Sequence, residues 1–309
     1  MAKIFPEIDN DYLKFYKKGF ITNLGFFVKA VHEKGSVLYR DIENDDKEVR
    51  KDVRLKYKDE QNIAGVEVKY SGRVETDKKQ KLKSSWNLKE YFDNSRIDHN
   101  TNYDKTTQEH NTSVRFVKGT EDESQVASLG FTVDEKNKID LELCYSRTLT
   151  SILTVATQID VNLSNFSLRQ TCFGILVHPF SWLNTWIVHN TNGKFHPEAD
   201  WQDNTNLTVM NRMSLGEKTE LAFDLMHRND FEYLLGIESG FSEKWKIRSK
   251  IGSLSDFEVS IRYSPISNLL LTFGLRGEYD ENIEKQGCSI GFGIEANFDK
   301  DPPENETSG

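Results

Sequence analysis

The strongest constraint on the fold is a strict alternation of apolar and polar residues near the end of the chain. From Cys288 to Phe298 every second residue is apolar. The residues between them are small or polar: Ser289, Gly291, Gly293, Glu295 and Asn297. This length suits a tilted strand that crosses the hydrocarbon layer of a membrane, and it exceeds the five or six residues usual for a strand. The segment therefore predicts a β-strand with one lipid-facing side and one water-facing side.

Similar alternation recurs along most of the chain. Apolar residues occupy every second position in 53–57 and in 64–70, and charged or small residues stand between them. On this pattern four charged residues are predicted to face a polar lumen: Arg54, Lys56, Glu67 and Lys69. Clusters of Gly, Asn, Asp, Ser and Pro separate the runs, as hairpin turns require.

The spacing of these runs predicts the size of the barrel. Residues 20–298 have room for about sixteen to twenty strands of membrane-spanning length. Side chains fill the interior of only about eight strands, so a barrel of this size encloses an aqueous channel. The fold class predicted is an all-β membrane protein, a large antiparallel barrel of up-and-down hairpins.

Composition is compatible with this interpretation. A mean hydropathy of −0.62 and 37% hydrophobic residues are typical of soluble proteins, but only alternate residues of a barrel face lipid. The chain has no run of eighteen apolar residues, so no transmembrane helix is predicted. The opening residues lack the apolar core of a signal peptide. A barrel without such a signal would be made in the cytosol, so we expect insertion into the outer membrane of an organelle.

Other classes of site are disfavoured. The three cysteines, Cys144, Cys172 and Cys288, are far apart and form no CxxC pair, so no disulfide framework or zinc site is predicted. A net charge of −9 disfavours a nucleic-acid partner. The histidines near 178–196 have no standard ligand spacing, and no catalytic motif occurs. We expect no metal, no cofactor and no enzymatic activity.

One helix is predicted, over Phe5–Lys17. Phe5, Ile8, Tyr12 and Phe15 form one apolar stripe, and Pro6 suits a first helical turn. The stripe is compatible with a surface helix that covers another element and with a helix inside a pore. Two weakly patterned stretches, 92–108 and 189–203, are predicted to be long loops.

Three segments resemble the mitochondrial outer-membrane porins, or voltage-dependent anion channels. Residues 5–20 resemble the opening helix of that family and its Lys-Gly-aromatic step into a first strand. Residues 64–68 resemble its fourth strand, and residues 290–295 resemble its last strand. The resemblance is specific at the two ends of the chain and weak in the middle.

The resemblance implies a complete architecture. It implies nineteen strands, the number known for that channel, with the first and last strands parallel and the helix in the lumen. The boundaries expected are 1–19 for the helical segment, 20–298 for the barrel and 299–309 for an acidic tail. Ser289, Gly291, Ile294 and Ala296 would form a sorting signal read by the outer-membrane barrel assembly machinery.

The same resemblance implies a function. It predicts a voltage-gated diffusion pore in the mitochondrial outer membrane that passes nucleotides such as ATP and ADP and small anions. Lys14, Lys17 and Lys18 would contact permeating nucleotides, and Gly19 would belong to a hinge. The partners expected are the lipid bilayer, these permeants and the assembly machinery, and a homo-oligomer is left open. Because the chain carries a net charge of −9, we expect a weak anion preference.

Three other interpretations stay open on the sequence alone. An acidic lumen would suit the basic presequences that pass through a protein-import pore of the outer-membrane translocase. A porin-like subunit with a plugged lumen would have a structural role in a larger assembly. A soluble β-sandwich would show alternation too, and detergent dependence of the purified protein would separate it from a barrel.

Overall fold

The computed structural model describes residues 3–17, 26–43, 49–63, 66–76, 82–92, 94–104, 109–120, 122, 124–192, 205–227, 231–253, 256–278 and 287–298. It contains one helix, α1 (Phe5–Lys17), followed by nineteen strands. The first ten strands are β1 (Phe26–His32), β2 (Gly35–Glu43), β3 (Val49–Ile63), β4 (Val66–Thr76), β5 (Leu82–Phe92), β6 (Ser95–Asp104), β7 (Glu109–Gly119), β8 (Gln125–Val133), β9 (Ile139–Thr150) and β10 (Leu153–Asn162). The remaining strands are β11 (Ser167–Phe180), β12 (Leu183–Asn192), β13 (Thr205–Ser214), β14 (Thr219–His227), β15 (Phe231–Gly240), β16 (Trp245–Gly252), β17 (Asp256–Ile266), β18 (Leu269–Glu278) and β19 (Gly287–Asn297).

The strands form a single closed sheet. Each strand pairs antiparallel with the next one along the chain, and β1 pairs with β19 to close the barrel. The pairing of β1 with β19 is parallel, with Val28 opposite Ile294 and Lys29 opposite Glu295. An odd number of strands in an up-and-down barrel requires one parallel pair. The predicted barrel, its number of strands and its parallel closure are confirmed.

On most strands the two faces of the sheet differ in polarity. Residues paired across neighbouring strands lie on the same face, so the register assigns every strand position to one side. Large apolar side chains are exposed around the outward face, for example Leu55, Phe131, Leu235 and Ile290. Among the described residues no helix is long and apolar enough to cross a membrane.

The prediction of a long loop over 92–108 is wrong in its central part. β6 occupies Ser95–Asp104 and pairs along its full length with β5 and β7. Its outward positions include His99 and Thr101, so the apolar alternation that indicates a strand is absent. Hydrogen bonding to two neighbours, rather than its own pattern, holds this segment in the sheet.

The prediction of a long loop over 189–203 is wrong at its start. β12 continues to Asn192 and pairs with β11 and β13. Residues 193–203 lie outside the described residues. Pairing with β11 and β13 again extends the strand beyond the point where its own sequence indicates one.

Candidate functional site: the lumen and its helix

Helix α1 lies against the inner wall of the barrel. Its apolar stripe contacts three groups of buried wall residues that follow one another around the sheet. Ile4, just before the helix, packs with Val117, Val126 and Cys144 of β7–β9. Phe5, Ile8 and Tyr12 pack with residues of β10–β13, namely Ala156, Cys172, Trp186, Val188 and Met210.

The third group completes the path of the helix. Phe15 packs with Ala222 of β14 and with Leu234 of β15. The helix therefore crosses the strands and follows the wall from β7 to β15. Of the two placements that the sequence left open, the helix inside the barrel is the one observed.

Trp186 forms the centre of this contact. Its side chain is fully buried, its ring centroid lies 5.3 Å from that of Phe5, and its indole Nε1 donates to Asp9 Oδ1 at 3.3 Å. The indole occupies the space where a Cβ on Gly174 would lie. Gly174 is therefore required for the close approach of this ring to the wall.

Three arginines of the wall bind the helix at polar positions. Arg96 of β6 forms an ion pair with Glu7, with Nη2 2.5 Å from Oε1. Arg212 of β13 donates to the carbonyl oxygen of Tyr12 at 2.6 Å. Arg248 of β16 donates to the carbonyl oxygen of Phe15 at 3.4 Å.

The last two contacts lie in the C-terminal half of the helix. Phe15 is among the last four residues, whose carbonyl groups have no partner within a helix, and positive charge near this end is favoured by the helix dipole. Both guanidinium groups also lie over aromatic rings of the helix, Arg212 at 5.2 Å from Tyr12 and Arg248 at 5.6 Å from Phe15. Arg212 is held in turn by the buried carboxylate of Asp224 at 2.5 Å.

A cavity of about 580 Å³ lies beside the C-terminal half of the helix. Tyr12, Phe15, Asn184, Glu220 and Glu238 are among its lining residues. Both glutamates project inward from neighbouring strands, where they are paired directly. Arg212 and Arg248 line it as well, and Arg248 forms an ion pair with Glu238. The cavity therefore has an aromatic side formed by the helix and a wall side that carries both carboxylates and guanidinium groups.

Basic side chains dominate one continuous part of the inner wall, which we call the basic arc: β16–β19 and β1–β7. Among its described inward side chains fourteen are basic and five are acidic. The basic residues of β3–β5 are Arg54, Lys56, Lys58, Lys69, Arg73 and Lys89, against Glu60 and Glu67. Those of β16–β18 are Lys246, Arg248, Lys250, Arg262 and Arg276, against Glu258. The others are Arg96, Arg115 and Lys29, against Asp98 and Glu295.

Acidic side chains dominate the remaining part, the acidic arc, which comprises β8–β15. Its described inward side chains include seven carboxylates and one arginine, Arg212. The carboxylates are Asp140, Glu142, Asp160, Glu220, Asp224, Glu232 and Glu238. Arg169, at the irregularity between β10 and β11, forms an ion pair with Asp140. The helix covers part of this arc and adds Glu7, Asp9 and Asp11 to it.

The predicted lumen residues lie in the basic arc. Arg54 and Lys56 occupy inward positions of β3, and Glu67 and Lys69 occupy inward positions of β4. Lys69 Nζ lies 2.5 Å from Glu67 and 3.4 Å from Glu60. These three side chains form a small ion-pair network on the wall.

The residues predicted to contact nucleotides lie mostly outside the described part. Lys14 and Lys17 belong to α1, but their side chains are not among those described, and Lys18 and Gly19 lie outside the described residues. At the other end Ile294 and Ala296 face outward beside Val28 and Ala30 of β1. Gly291 is buried on the inward face, and Ser289 belongs to β19 with its side chain outside the description.

The residues that hold the helix were missed by sequence reasoning. Trp186, Gly174, Arg96, Arg212 and Arg248 were not singled out as site residues. One signal was present: successive strands carry an apolar residue on their otherwise polar face, such as Val117, Ala156 and Met210. A row of apolar inward residues across neighbouring strands predicts that something covers the wall there.

Comparisons with known proteins agree with the fold. No family model matches the sequence, and no curated protein matches it. Solved structures of variants of the Rhodopseudomonas blastica porin are similar. One triple variant has a TM-score of 0.51 at 8% identity, covering 68% of this chain and 87% of the porin. Another variant has a TM-score of 0.50 at 8% identity, covering 71% and 86%.

The chain thus has the fold of the porin class, a closed barrel with an apolar outer surface and a polar lumen. Within that class the barrel has nineteen strands, one parallel seam and a helix on its inner wall. The low identity to the bacterial porins restricts the likeness to the fold.

Proposed function

We propose that the protein is a diffusion pore of the mitochondrial outer membrane that passes small hydrophilic solutes. The observation that carries this proposal is the odd number of strands with its parallel seam. Single-chain barrels of bacterial outer membranes have even numbers, whereas the mitochondrial channel has nineteen. The helix on the inner wall agrees with the family that the two ends of the chain resemble.

The lumen supports conduction. Barrels of sixteen to eighteen strands already enclose an aqueous channel. Here the described part of the helix lies along the wall from β7 to β15. It also contacts Arg96 of β6 and Arg248 of β16, near the two ends of the basic arc. The pore is proposed to pass nucleotides and other small anions, with Lys14, Lys17 and Lys18 as candidate contacts and with voltage-dependent closure.

The described charge of the inner wall, with the helix left out, favours a weak anion preference. Among described inward wall side chains basic groups outnumber acidic ones by fifteen to twelve, although the whole chain carries −9. An acidic lumen was the reason to consider the protein-import pore, and the described wall does not have this character. A metabolite pore is therefore the better-supported function.

Planar-bilayer recording tests the proposal. Purified full-length protein should give single-channel currents, partial closure at high voltage of either sign, and a reversal potential displaced modestly toward anions. Import of the radiolabelled chain into isolated mitochondria, followed by carbonate extraction, tests the location. A protein that inserts but never conducts would instead support a structural porin-like subunit.

A further inference from the structure

A groove on the outer wall of the barrel is apolar at membrane depth and basic at its rim end. It encloses about 700 Å³ and runs across β6–β10. Val117 and Cys144, whose side chains face the helix side of the wall, border it, so the sheet itself forms its floor. Five outward apolar side chains line it: Ile97, Phe116, Leu129, Leu143 and Ile159.

Two basic side chains, Lys118 and Arg147, lie at the end of the groove nearest one rim. Lys118 is the second-last residue of β7, and Arg147 lies three residues before the end of β9. Both side chains face outward and are exposed, and neither forms an ion pair with a residue that the structure describes. Their strands are about 10 Å apart, with β8 between them, and Ala127 and Gln125 lie between the two side chains. Two long side chains so placed can bind one phosphate group together.

Basic side chains are otherwise rare on the outward face. Apart from Arg169 at the irregularity of β11, the described outward strand positions carry lysine or arginine only at Lys51, Lys118 and Arg147. A cation on a lipid-facing strand is costly at the bilayer midplane and costs little near the interface. Two of the three therefore lie beside one groove, at the end of it where a cation is tolerated.

The apolar part of the groove continues from this pair toward the middle of the wall. Phe116 lies two residues further from the rim than Lys118, and Leu143 lies four residues further than Arg147. The side chains of Phe116 and Leu143 are 49% and 41% exposed. A ligand in the groove would thus have an anionic group near the rim and a hydrocarbon chain at membrane depth, which is the orientation of a phospholipid in a bilayer.

Acidic residues near the basic pair restrict the headgroup. The turn between β7 and β8 contains Glu121, Asp122 and Glu123, and the carboxylate of Asp122 is exposed at the rim. On the other side Glu90 faces outward from β5. Carboxylates around the phosphate disfavour a headgroup with a net negative charge and favour one that also carries an ammonium group.

We propose that this groove binds a phosphatidylethanolamine molecule. Its phosphate contacts Lys118 and Arg147, its ammonium group lies toward Asp122, and one acyl chain lies along Phe116 and Leu143. The site requires a barrel in a membrane and does not depend on conduction, so a barrel that fails to conduct would leave this proposal untouched.

Photo-crosslinking in nanodiscs tests the proposal. The full-length protein is reconstituted in phosphatidylcholine with a small fraction of phosphatidylethanolamine that carries a diazirine in one acyl chain. After irradiation, mass spectrometry of peptides locates the adducts, and adducts on the outward positions of β13–β19 serve as the internal reference. We expect adducts on β7–β9 to exceed this reference at least about fivefold, because charge-assisted contacts to a phosphate are strong.

Substitutions separate the two parts of the site. Lys118→Gln with Arg147→Gln should remove most of the excess, and Ala127→Leu, which fills the groove without changing its charge, should reduce it as well. The matched controls are Lys244→Gln, in the turn after β15 at the same rim, and Ala30→Leu, an outward position of β1. Both controls should leave the ratio of adducts unchanged, and the reference adducts show that each variant has inserted.

Competing ligands identify the headgroup. Unlabelled phosphatidylethanolamine should lower the adduct yield on β7–β9 more than an equal amount of phosphatidylglycerol, which has no ammonium group. Equal displacement by the two lipids, or displacement by inorganic phosphate, would overturn the proposed ligand. Adducts spread evenly over the outward strands, or an excess that survives the loss of both Lys118 and Arg147, would overturn the site itself.

Discussion

Arg212 donates to the carbonyl oxygen of Tyr12 at 2.6 Å, joining the wall of the barrel to a helix two hundred positions earlier in the chain. The same guanidinium pairs with Asp224, and both side chains are almost fully buried. One residue thus satisfies a helix carbonyl and a buried carboxylate together. Its loss would leave both groups without this partner.

We expect Arg212→Gln to destabilise the helix contact strongly. Removing one partner of a buried ion pair costs about 3–5 kcal/mol because the other charge stays buried. Thermal unfolding in detergent, followed by circular dichroism, should show a lowered midpoint. The double variant Arg212→Gln with Asp224→Asn should recover part of the loss, and no difference between the two variants would contradict the coupling.

Gly174→Ala should disturb the packing of the Trp186 indole against the wall. An added Cβ would overlap the indole, and overpacking of this kind costs about 1–3 kcal/mol. The matched control is Gly130→Ala, an inward glycine of β8 whose added Cβ would lie 3.5 Å from its nearest neighbours. Thermal midpoints of the two variants should differ, and equal midpoints would show that Trp186 can move without cost.

Cys144 and Cys172 report whether the helix stays in place. Both thiols are buried in the groups of residues that contact Ile4 and Phe5. In a Cys288→Ser background a water-soluble maleimide should label the full chain slowly. Deletion of residues 1–17 should accelerate labelling at least about tenfold, and fast labelling of the undeleted chain would show that the helix leaves the wall readily.

A charge on the outward face of β19 should block assembly. Ile294 faces outward between Leu271 of β18 and Val28 of β1, and lysine on a lipid-facing strand costs about 2–4 kcal/mol near the bilayer midplane. We expect Ile294→Lys to reduce insertion into isolated mitochondria sharply. Asn297→Lys places the same charge on the inward face and is the control, so equal loss in both would point to a general folding defect.

The ion pair between Lys29 and Glu295 across the seam should contribute little to the stability of the barrel, and exchanging the two residues should preserve that contribution. Lys29 Nζ lies 2.9 Å from Glu295 Oε2, and both side chains are about one third exposed. Pairs with this exposure contribute about 1 kcal/mol or less. Lys29→Glu should lower the thermal midpoint slightly, and Lys29→Glu combined with Glu295→Lys should restore it. A double variant that does not restore the midpoint would show that the other charges of the lumen, and not this pair, determine the effect.

The sequence was sufficient for the barrel because lipid imposes alternation on most strands. Cys288–Phe298 shows it in full, and the helix Phe5–Lys17 is indicated by its stripe and its charges. β6 was missed since His99 and Thr101 interrupt the apolar face, and its pairing with β5 and β7 depends on residues elsewhere in the chain. The helix site was missed for a related reason: on β12 both faces are apolar around Trp186, so alternation gives no information there.

The charge of the lumen was the hardest property to predict. Net charge sums residues on both faces, in loops and in the terminal segments, whereas solutes encounter only inward side chains. Assigning Arg54 and Glu220 to opposite arcs requires knowing which strands face each other across the barrel. That relationship follows from closure and register, which no single segment of sequence contains.

The parallel seam also determines where the two ends of the barrel emerge. Since β1 and β19 run in the same direction, Phe26 begins its strand at one rim and Asn297 ends its strand at the opposite rim. In an up-and-down barrel with an even number of strands, the first strand begins and the last strand ends at the same rim. Antibody tags placed at the two ends of this barrel would consequently mark different compartments, and one protease experiment on intact organelles would reveal the orientation of the whole molecule.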